Sequence, residues 1–369
     1  MTERKLATVR QITALNLIPG ADRIEVATVG GWQVVCQKGL YEVGGYAIYF
    51  EIDSFIKTEI AAFLSNGKEP REYLGVKGER LKTIRLKKVL SQGLLMPLSE
   101  FPAIQIHLNF DLNNPAPCIV SVNEVVLPDN DLTEHLGILK WEKPLHASLQ
   151  GTARGNFPSF IPKTDEERVQ NLDRTIEKYT DEEFEATIKL DGSSTTMYYL
   201  PENSKYLKED TIDLFSVCSR NLDLKETEGN AFWQIARELQ VEEKLRSLSP
   251  PRALAIQGEL VSPTIQGNYE KMTAPGFFVY KIFDIGTQKF LEPAERRELC
   301  ENLGLKQVPI LDIAFKLTKD RATVPALLEY AEGPGMNQGV KREGVVFKHN
   351  KSPFSFKAIS DSYLLAERD

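Results

Sequence analysis

Short β-rich runs separated by turn residues fill the N-terminal quarter of the chain and restrict what it can fold into. Runs of apolar, β-branched and aromatic residues predict strands, and Pro-Gly and Gly-Gly pairs predict tight turns. The turn pairs are Pro19-Gly20, Gly30-Gly31 and Gly44-Gly45. The predicted strands are Leu6–Leu15, Arg23–Val29, Trp32–Cys36, Tyr46–Phe50, Leu81–Leu86 and Gly93–Pro97. Short strands so close in sequence are typical of a small closed barrel.

The predicted strand that begins at Leu81 has a basic face. Period-two alternation places three polar side chains on one side, Thr83, Arg85 and Lys87. Ile84 and Leu86 lie on the other side. A basic strand face can follow a phosphate backbone, but charge on an edge strand also prevents aggregation. Both interpretations stay open.

Residues 151–369 mix strands with helices and predict an α+β class, not alternating βαβ units. The predicted helices are Thr164–Leu172 with a capping box, Phe232–Leu245, Pro293–Leu303 and Thr323–Glu332. The predicted strands are Phe184–Lys189, Ser193–Tyr199, Leu254–Val261, Gly276–Asp284, Val340–Lys348 and Ser355–Ile359. We expect the first two of these strands to form a hairpin that bends at Asp191-Gly192. Before this block, leucines at helical spacing predict a short helix within Asp129–Pro144.

Composition is that of an ordinary soluble enzyme. With 369 residues, of which 42% are hydrophobic, the chain can form two or three domains with normal cores. No apolar run is long enough to span a bilayer and no signal-peptide stretch follows Met1, so we expect a cytoplasmic protein without a membrane partner. The net charge of −7 argues against nucleic acid covering the whole surface. The four cysteines are scattered, which favours reduced thiols over a zinc site.

Lys189 heads the tetrad Lys189-Leu190-Asp191-Gly192 at the bend of the predicted hairpin, where a side chain can be presented to a cleft. A lysine amine attacks phosphorus only when neutral, whereas an unperturbed lysine is charged at neutral pH. Burial and neighbouring cations lower a lysine pKa, and we expect Lys348, Lys357 and a Mg²⁺ ion to supply those charges. Mg²⁺ is usually held by one or two carboxylates, and Glu343 is the natural candidate.

Three segments occur in a fixed order along the chain: the tetrad, Glu343-Gly344-Val345-Val346-Phe347-Lys348, and Ser355-Phe356-Lys357. A tetrad of this kind is common by chance, but the three segments in order are much harder to obtain by accident. This order resembles the covalent nucleotidyltransferases, which comprise ATP-dependent RNA and DNA ligases and mRNA capping enzymes. In that family the first lysine carries the nucleotide, which implies that Lys189 becomes adenylated.

Further family-like motifs lie between these segments, namely Ser219-Arg220-Asn221, Gln257-Gly258-Glu259-Leu260 and Tyr280-Lys281-Ile282-Phe283-Asp284. The resemblance implies that Arg220 and Glu259 contact the ribose or the substrate phosphate, and that Phe283 packs on the adenine. It implies that Arg168 reaches the triphosphate. The implied catalytic residues are Lys189, Asp191, Arg220, Glu259, Glu343 and Lys357. The implied nucleotide contacts are Arg168, Ile188, Lys189, Arg220, Glu259, Phe283, Val345, Lys348 and Lys357.

The resemblance is closest to ATP-dependent RNA ligases that carry an N-terminal OB-fold module. Leu17–Val26 looks like the opening of tRNA-binding OB-fold modules. The resemblance implies an OB-fold RNA-binding module with a connector at residues 1–140 and a nucleotidyltransferase domain of antiparallel sheets with flanking helices at residues 151–369. Only Ala358–Asp369 follow Lys357, so we expect no C-terminal OB domain. Many relatives have a second lysine near Lys357, and whether Lys348 or Lys351 replaces it here stays open.

The resemblance implies an RNA-sealing enzyme that uses ATP with Mg²⁺ or Mn²⁺. Lys189 attacks ATP, AMP passes to a 5′-phosphate end, and a 3′-hydroxyl displaces AMP. We expect a monomer that repairs RNA with 3′-hydroxyl and 5′-phosphate ends, nicked duplexes among them. Two alternatives stay open, a capping-type guanylyltransferase that uses GTP and a non-catalytic RNA-binding protein.

Overall fold

The computed structural model describes residues 4–108, 118–127, 130–142, 153–207 and 214–366. The chain forms two compact units. The first comprises residues 2–143, 170–173 and 364–369, and the second comprises residues 144–169 and 174–363. The inclusion of residues 170–173 in the first unit was not predicted. None of the described helices is both long and apolar enough to cross a membrane.

The segment Gln170–Asp173 is fixed in the first unit by the side chain of Asn171. Its Oδ1 accepts a hydrogen bond from the indole N–H of Trp32 at 2.7 Å, and its Nδ2 donates to the Glu51 carboxylate at 2.9 Å. The backbone adds a bond from the Gly31 N–H to the Gln170 carbonyl at 3.0 Å. These bonds make a short piece of distant sequence part of the N-terminal unit.

The main sheet of the first unit consists of five strands, β1 (Ala7–Leu17), β2 (Ile24–Val29), β3 (Trp32–Gln37), β4 (Tyr46–Phe50) and β10 (Leu94–Pro97). They are antiparallel in the order β10-β4-β1-β2-β3. Alternate side chains of β1 and β4, among them Val9, Ile48 and Phe50, enter one apolar cluster. Removing these side chains from water stabilises the sheet. All five strands were predicted, with ends that shift by at most two residues.

Nine shorter strands complete the first unit, β5 (Ser54–Lys57), β6 (Arg71–Tyr73), β7 (Val76–Arg80), β8 (Thr83–Leu86), β9 (Val89–Gln92), β11 (Ile104–Leu108), β12 (Cys118–Val122), β13 (Val125–Val126) and β14 (Leu139–Lys140). Their sheets are β14-β5-β7-β6, β11-β12-β13 and β8-β9. The helix predicted within Asp129–Pro144 is wrong for the described residues 130–142. Leu132 and Leu136 close a single turn, Gly137 leaves it at a φ of 60°, and β14 then pairs with β5. A left-handed glycine of this kind ends a helix.

The β8–β9 ribbon contains the basic strand. Its turn is Lys87-Lys88, both at positive φ (48° and 70°), as in tight hairpin turns that match the twist of the strands. Thr83 is buried at the base, whereas Arg85 is exposed. Ile84 and Leu86 also keep 47% and 38% of their surface exposed. The alternation therefore does not separate a buried face from a solvated one, because the ribbon projects into solvent on both sides near its turn.

Twelve strands build the second unit, β15 (Ala153–Asn156), β16 (Glu167–Arg168), β17 (Glu183–Lys189), β18 (Ser193–Tyr199), β19 (Phe215–Cys218), β20 (Leu222–Leu224), β21 (Leu254–Val261), β22 (Gly276–Asp284), β23 (Lys289–Phe290), β24 (Ile310–Lys316), β25 (Gly344–His349) and β26 (Ser355–Ile359). They form a seven-stranded sheet, β15-β20-β19-β18-β21-β22-β23, and a five-stranded sheet, β16-β26-β25-β17-β24. Strands β21, β22 and β26 have the predicted bounds.

The α-helices of the described residues are α1 (Thr58–Ala61), α2 (Ala231–Glu238), α3 (Val241–Arg246), α4 (Pro293–Asn302), α5 (Val324–Ala331) and α6 (Asp361–Ala366). Trp233 of α2 and Leu245 of α3 pack into the apolar core of the seven-stranded sheet. The single helix predicted at Phe232–Leu245 is wrong, because Gln240 has a φ of 52° and breaks it in two.

The helix predicted at Thr164–Leu172 is also wrong. Glu167–Arg168 forms β16, which runs parallel to β26 with Arg168 opposite Lys357, and Val169–Asn171 is a 3₁₀ turn. The Thr164 hydroxyl, which would cap a helix, instead donates to the Tyr280 hydroxyl at 3.2 Å. Pairing with a sheet edge therefore outweighs the local capping pattern.

The tetrad is not the bend of a hairpin, contrary to the prediction. Strand β17 pairs with β24 and β25, whereas β18 pairs with β19 and β21. The chain thus crosses from one sheet to the other over Leu190, Asp191 and Gly192. A Cβ atom on Gly192 would lie 2.5 Å from the Leu260 carbonyl oxygen and 2.7 Å from Val261 Cγ1. Only glycine fits where the crossing touches β21.

We expect Gly192→Ala to lower the free energy of unfolding by about 1–3 kcal/mol, because a backbone carbonyl must move to admit the methyl group. Chemical denaturation measures the change. Gly155→Ala is the matched control, since a methyl group at residue 155 would have no other atom within 4 Å. Equal stability of the Gly192→Ala variant and the wild-type protein would show that the crossing can relax.

Candidate active site

Lys189 ends β17, and its side chain lies against the carboxylate of Glu343. The Nζ–Oε1 distance is 2.7 Å, and 30% of the Lys189 side-chain surface is exposed. Strand pairing dictates this contact, because Lys189 lies opposite Gly344 and Glu343 directly precedes Gly344. The structure therefore brings together the tetrad lysine and the carboxylate predicted to bind the metal.

Carboxylates surround the Lys189 amine. Burial lowers its pKa, but the negative charges of Glu343 and Glu259 raise it by more, so the pKa lies above its ordinary value. The prediction that cations lower this pKa is wrong for the ligand-free protein, because Lys357 is paired with Asp165 at 2.8 Å. Lys189 is therefore held as a charged amine, and its pKa can fall only when its carboxylate partner is engaged elsewhere.

Two further carboxyl groups near Lys189 are weak acids. Burial raises the pKa of Glu259 to about 8 and that of Glu270 to about 7. Glu270 also positions the tetrad, because its Oε1 accepts a hydrogen bond from the Asp191 backbone N–H at 3.1 Å. The Tyr363 hydroxyl donates to the Asp191 carboxylate at 3.0 Å. Asp191 is thus held from two sides, and it fixes the chain directly after Lys189.

Glu343 has an oxygen that suits a metal ion. The residue is 8% exposed, and its Oε2 is buried without a hydrogen-bond partner, a costly state for a carboxylate oxygen. Among the described residues no group of three or more acidic, histidine or cysteine side chains is arranged to hold a metal. One carboxylate, with water and phosphate oxygens, is a usual donor set for Mg²⁺. The residues present therefore fit a Mg²⁺ or Mn²⁺ ion that arrives with a triphosphate.

Asp165 holds two of the predicted phosphate contacts, one with each carboxylate oxygen. Oδ1 lies 2.8 Å from Lys357 Nζ, and Oδ2 lies 3.1 Å from the Arg220 guanidinium. The three residues come from the loop before β16, from β26 and from the turn between β19 and β20. A carboxylate presents two anionic oxygens much as the edge of a phosphate does. The Lys357–Arg220 pair can therefore receive a phosphate once Asp165 moves aside.

Lys348 lies on β25 inside a buried cluster of charges. Its Nζ is 3.4 Å from the Thr187 hydroxyl and 4.0 Å from Glu185, which also binds the guanidinium of Arg296 at 2.8 Å. Burial and the charge of Arg296 lower the pKa of Lys348 to about 7. Lys348, unlike Lys189, therefore has an amine that loses its proton near neutral pH.

A small pocket lies beside Arg220 on the seven-stranded sheet. Its lining residues are Phe157, Lys163, Thr164, Ser194, Thr196, Arg220 and Gln257. Tyr280 borders it, with its hydroxyl 2.9 Å from Ser194 Oγ and 3.2 Å from Thr164 Oγ1. Aromatic rings with a few placed polar groups are typical of small-ligand sites. The pocket thus combines an aromatic ring with several hydrogen-bond donors and acceptors.

Known proteins resemble this chain along its whole length. An RNA ligase family model matches residues 182–359, and an OB-fold domain model matches residues 6–98. The structure of a Naegleria gruberi RNA ligase mutant in the apo state is 42% identical in sequence, with a TM-score of 0.82, and the match covers 99% of this chain and 98% of that one. The chain belongs to the RNA ligase family. Another mutant of the Naegleria ligase, with ATP and Mn, has 42% identity, a TM-score of 0.83, and 99% and 100% coverage.

The Naegleria gruberi RNA ligase with PPi is similar to the same degree, at 42% identity, a TM-score of 0.81 and 98% coverage of both chains. A search of curated proteins finds no match. These findings confirm the resemblance to RNA ligases with an N-terminal OB fold, and they confirm the predicted fold class. As an RNA ligase, the protein has RNA as its substrate.

Three of the predicted nucleotide contacts are buried in the ligand-free protein, namely Phe283, Ile188 and Val345. Phe283 is 3% exposed and packs against Phe290 in an apolar cluster, and its contact with the base stays a prediction. Ile188 and Val345 pair with each other on the sheet face opposite to Lys189 and are 5% and 0% exposed. Both side chains are thus enclosed in the ligand-free protein, and their nucleotide contacts stay predictions. Tyr280 borders the pocket, and Val346 lies on the same face of the five-stranded sheet as Lys189.

Arg168 lies where the parallel pairing of β16 with β26 sets it opposite Lys357. It is 5% exposed. The prediction that a helix presents this arginine is wrong, because a strand does so. Residues that face the same side at neighbouring positions of two strands act on one region of space, so Arg168 and Lys357 can serve the same phosphate chain.

Five residues of the site were not predicted from the sequence to have a role in it: Asp165, Glu166, Gln257, Glu270 and Lys281. Glu166 binds the Lys281 ammonium at 2.6 Å, beside the Asp165 cluster. A signal existed for Gln257, because it lies two residues before Glu259 and alternation places both on one face of β21. No local pattern marks Glu270, which acts from a loop.

We expect Glu259→Gln to raise the melting temperature of the ligase by an amount that depends on pH. Between pH 4.5, the ordinary carboxyl value, and about pH 8, folded Glu259 keeps a proton that the unfolded chain has released. Wild-type stability therefore falls as pH rises through this window, whereas the variant escapes that loss. Calorimetry across the window should show a difference that grows with pH and becomes constant above about pH 8.

Glu238→Gln, on the exposed side of α2, is the matched control and should follow the wild-type curve. A melting difference between Glu259→Gln and wild type that stays the same at every pH would contradict the raised pKa of Glu259.

Proposed function

We propose that this protein is an ATP-dependent RNA ligase that joins 3′-hydroxyl and 5′-phosphate RNA ends through lysyl-AMP and RNA-adenylate intermediates. The observation that carries the proposal is the Lys189–Glu343 pair at 2.7 Å, with the second Glu343 oxygen buried and unpaired. A reactive amine thus lies beside a carboxylate suited to the metal of a nucleotide. The similar Naegleria ligase, with ATP and Mn, supports this assignment.

In the first step, Lys189 Nζ forms a bond to the α-phosphorus of ATP. The bond from that phosphorus to the bridging oxygen breaks, pyrophosphate leaves, and the amine releases a proton. A divalent ion held by Glu343 would engage the carboxylate that now pairs with Lys189 and place a positive charge nearby, which lowers the pKa of the amine. Glu270 and Asp191 hold the backbone that aims Nζ.

Lys357 and Arg220 supply charge to the α-phosphate. Lys357 and Arg220 both bind Asp165 in the ligand-free protein. A phosphate of the nucleotide would take the place of the Asp165 carboxylate between them. Positive groups positioned on the phosphate oxygens stabilise the charge that builds as the leaving group departs. Arg168, opposite Lys357, is placed to contact the β- and γ-phosphates.

The second and third steps use the same α-phosphate site. An oxygen of the RNA 5′-phosphate attacks the lysyl-AMP phosphorus, the Nζ–phosphorus bond breaks, and Lys189 regains its proton. The 3′-hydroxyl then attacks the 5′-phosphorus, AMP leaves, and a phosphodiester remains. A nicked duplex is a suitable substrate because it holds the two ends adjacent.

We expect Lys189→Ala to abolish covalent labelling of the protein by α-labelled ATP, because no nucleophile remains. Lys189→Arg should be equally inactive, since guanidinium is not deprotonated in proteins. The measurement is a denaturing gel after incubation with ATP and Mg²⁺, and the same assay with labelled GTP tests the guanylyltransferase alternative.

Lys178→Ala, which removes an exposed lysine of the same unit, is the control and should label normally. Label retained by Lys189→Ala would end the proposal. Label with GTP but not with ATP would move the protein to the capping-type reaction.

We expect reversal of Arg85 and Lys87 to glutamate to weaken sealing while lysyl-AMP formation is unchanged. The two side chains project from the β8–β9 ribbon, far in sequence from all nucleotide contacts. Loss of phosphate contacts raises the RNA concentration needed for sealing and flattens its salt dependence, by roughly one unit of log–log slope per contact. Initial sealing rates at several salt concentrations give both quantities.

Lys38 and Lys68, exposed in the same unit, provide the matched control, because their reversal changes net charge equally. Equal loss of sealing in both double variants would assign the effect to overall charge and not to the ribbon. Point variants are preferable to a chain that starts near residue 151, which would remove the partners of Asn171.

A further inference from the structure

Gln257 is a buried glutamine that the reaction described above does not use. It lies on β21 and is 1% exposed, yet it lines the pocket beside Arg220. Thr196 and Lys281 are its neighbours on the adjoining strands. A buried amide must satisfy both a donor and an acceptor, so the partners of each end determine what the side chain can do.

The orientation of the Gln257 amide follows from its partner. Nε2 donates to the Pro162 carbonyl at 2.9 Å, and only the NH₂ end can face a carbonyl oxygen. Oε1 is therefore turned to the other side, where it is buried without a hydrogen-bond partner. An unsatisfied buried acceptor is costly, and here it belongs to one of the residues that line the pocket.

We infer that Gln257 Oε1 accepts a hydrogen bond from the exocyclic amino group of adenine and thereby selects ATP over GTP. The inference rests on the proposed function, since it concerns the base of the nucleotide that reaches Lys189. Adenine carries a donor at its 6-position, whereas guanine and hypoxanthine carry a carbonyl oxygen there. A base with a carbonyl at its 6-position would place that oxygen against Gln257 Oε1, and two acceptors cannot form a hydrogen bond.

None of the other polar side chains that line the pocket is a fixed acceptor for an amino group. Lys163 and Arg220 only donate, and they are engaged with Asn221 and Asp165. The hydroxyls of Ser194 and Thr196 can donate or accept, so they adapt to either base. Because its Nε2 is bound to the Pro162 carbonyl, the side-chain amide of Gln257 cannot exchange its donor and acceptor ends.

The test compares three α-labelled triphosphates on the wild-type enzyme. These are ATP, purine riboside triphosphate with hydrogen at the 6-position, and inosine triphosphate with a carbonyl there. The expected order of kcat/KM for covalent labelling is ATP, then the purine nucleotide, then the inosine nucleotide. Each step down should be roughly tenfold, because a site built for a hydrogen bond rejects an analogue that leaves it unpaired.

Gln257→Ala and Gln257→Met should reduce these ratios toward one, because neither side chain accepts a hydrogen bond strongly. The methionine variant keeps the volume of the side chain in case the alanine variant does not fold. Gln234→Ala, on the exposed face of α2, is the control and should keep the wild-type order. Melting curves establish that each variant is folded.

A crystal structure of the wild-type enzyme with ATP gives an independent reading. Oε1 within about 3.2 Å of the adenine amino nitrogen supports the inference, and an amino group bound elsewhere overturns it. Equal labelling by ATP and the inosine nucleotide, or an unchanged order in the folded variants, also overturns it. Failure of the wild-type enzyme to label with any of the three would instead refute the proposed function.

Discussion

The ion pair between Lys189 and Glu343 is the interaction on which the rest of the site depends. Antiparallel pairing of β17 with β25 brings the two residues together, and the crossing at Gly192 carries the chain from that pair into the second sheet. The same contact keeps the lysine protonated, because the carboxylate stabilises the charged amine. Chemistry at Lys189 is therefore coupled to whatever competes for Glu343, and a metal–nucleotide complex is the competitor that also brings the reacting phosphorus.

The site follows one electrostatic rule in the ligand-free state, in which its positive side chains are balanced by carboxylates of the same unit. Asp165 serves Lys357 and Arg220, and Glu166 serves Lys281. Charges taken out of water are stable only when paired in this way. This pairing raises the pKa of Lys189. It also holds the side chains of the site in place in the ligand-free protein.

Much of the fold could be predicted from the sequence, because strands such as β21 and β22 carry their own periodicity and end at turn residues. Which sheet a strand joins is a long-range matter, so the chain that leaves Lys189 was wrongly expected to fold back as a hairpin. The direction of the side chains along β22 could not be predicted for a related reason. The pairing of β21 with β22 shifts between Gln257 and Gly258, and such an irregularity changes which residues face the site. Here the register passes from Val279 to Lys281, so Tyr280 has no pairing partner on β21.

Asp165 affects how readily an anion can bind to Lys357 and Arg220 of this ligase. Because its carboxylate already pairs with Lys357 and Arg220, an arriving phosphate must displace it, so one oxyanion takes the place of another. Inorganic phosphate, sulfate and other small anions gain little from such an exchange, whereas a nucleotide adds its base and its metal. On the function proposed above, the displacement of Asp165 would therefore favour a nucleotide over small anions.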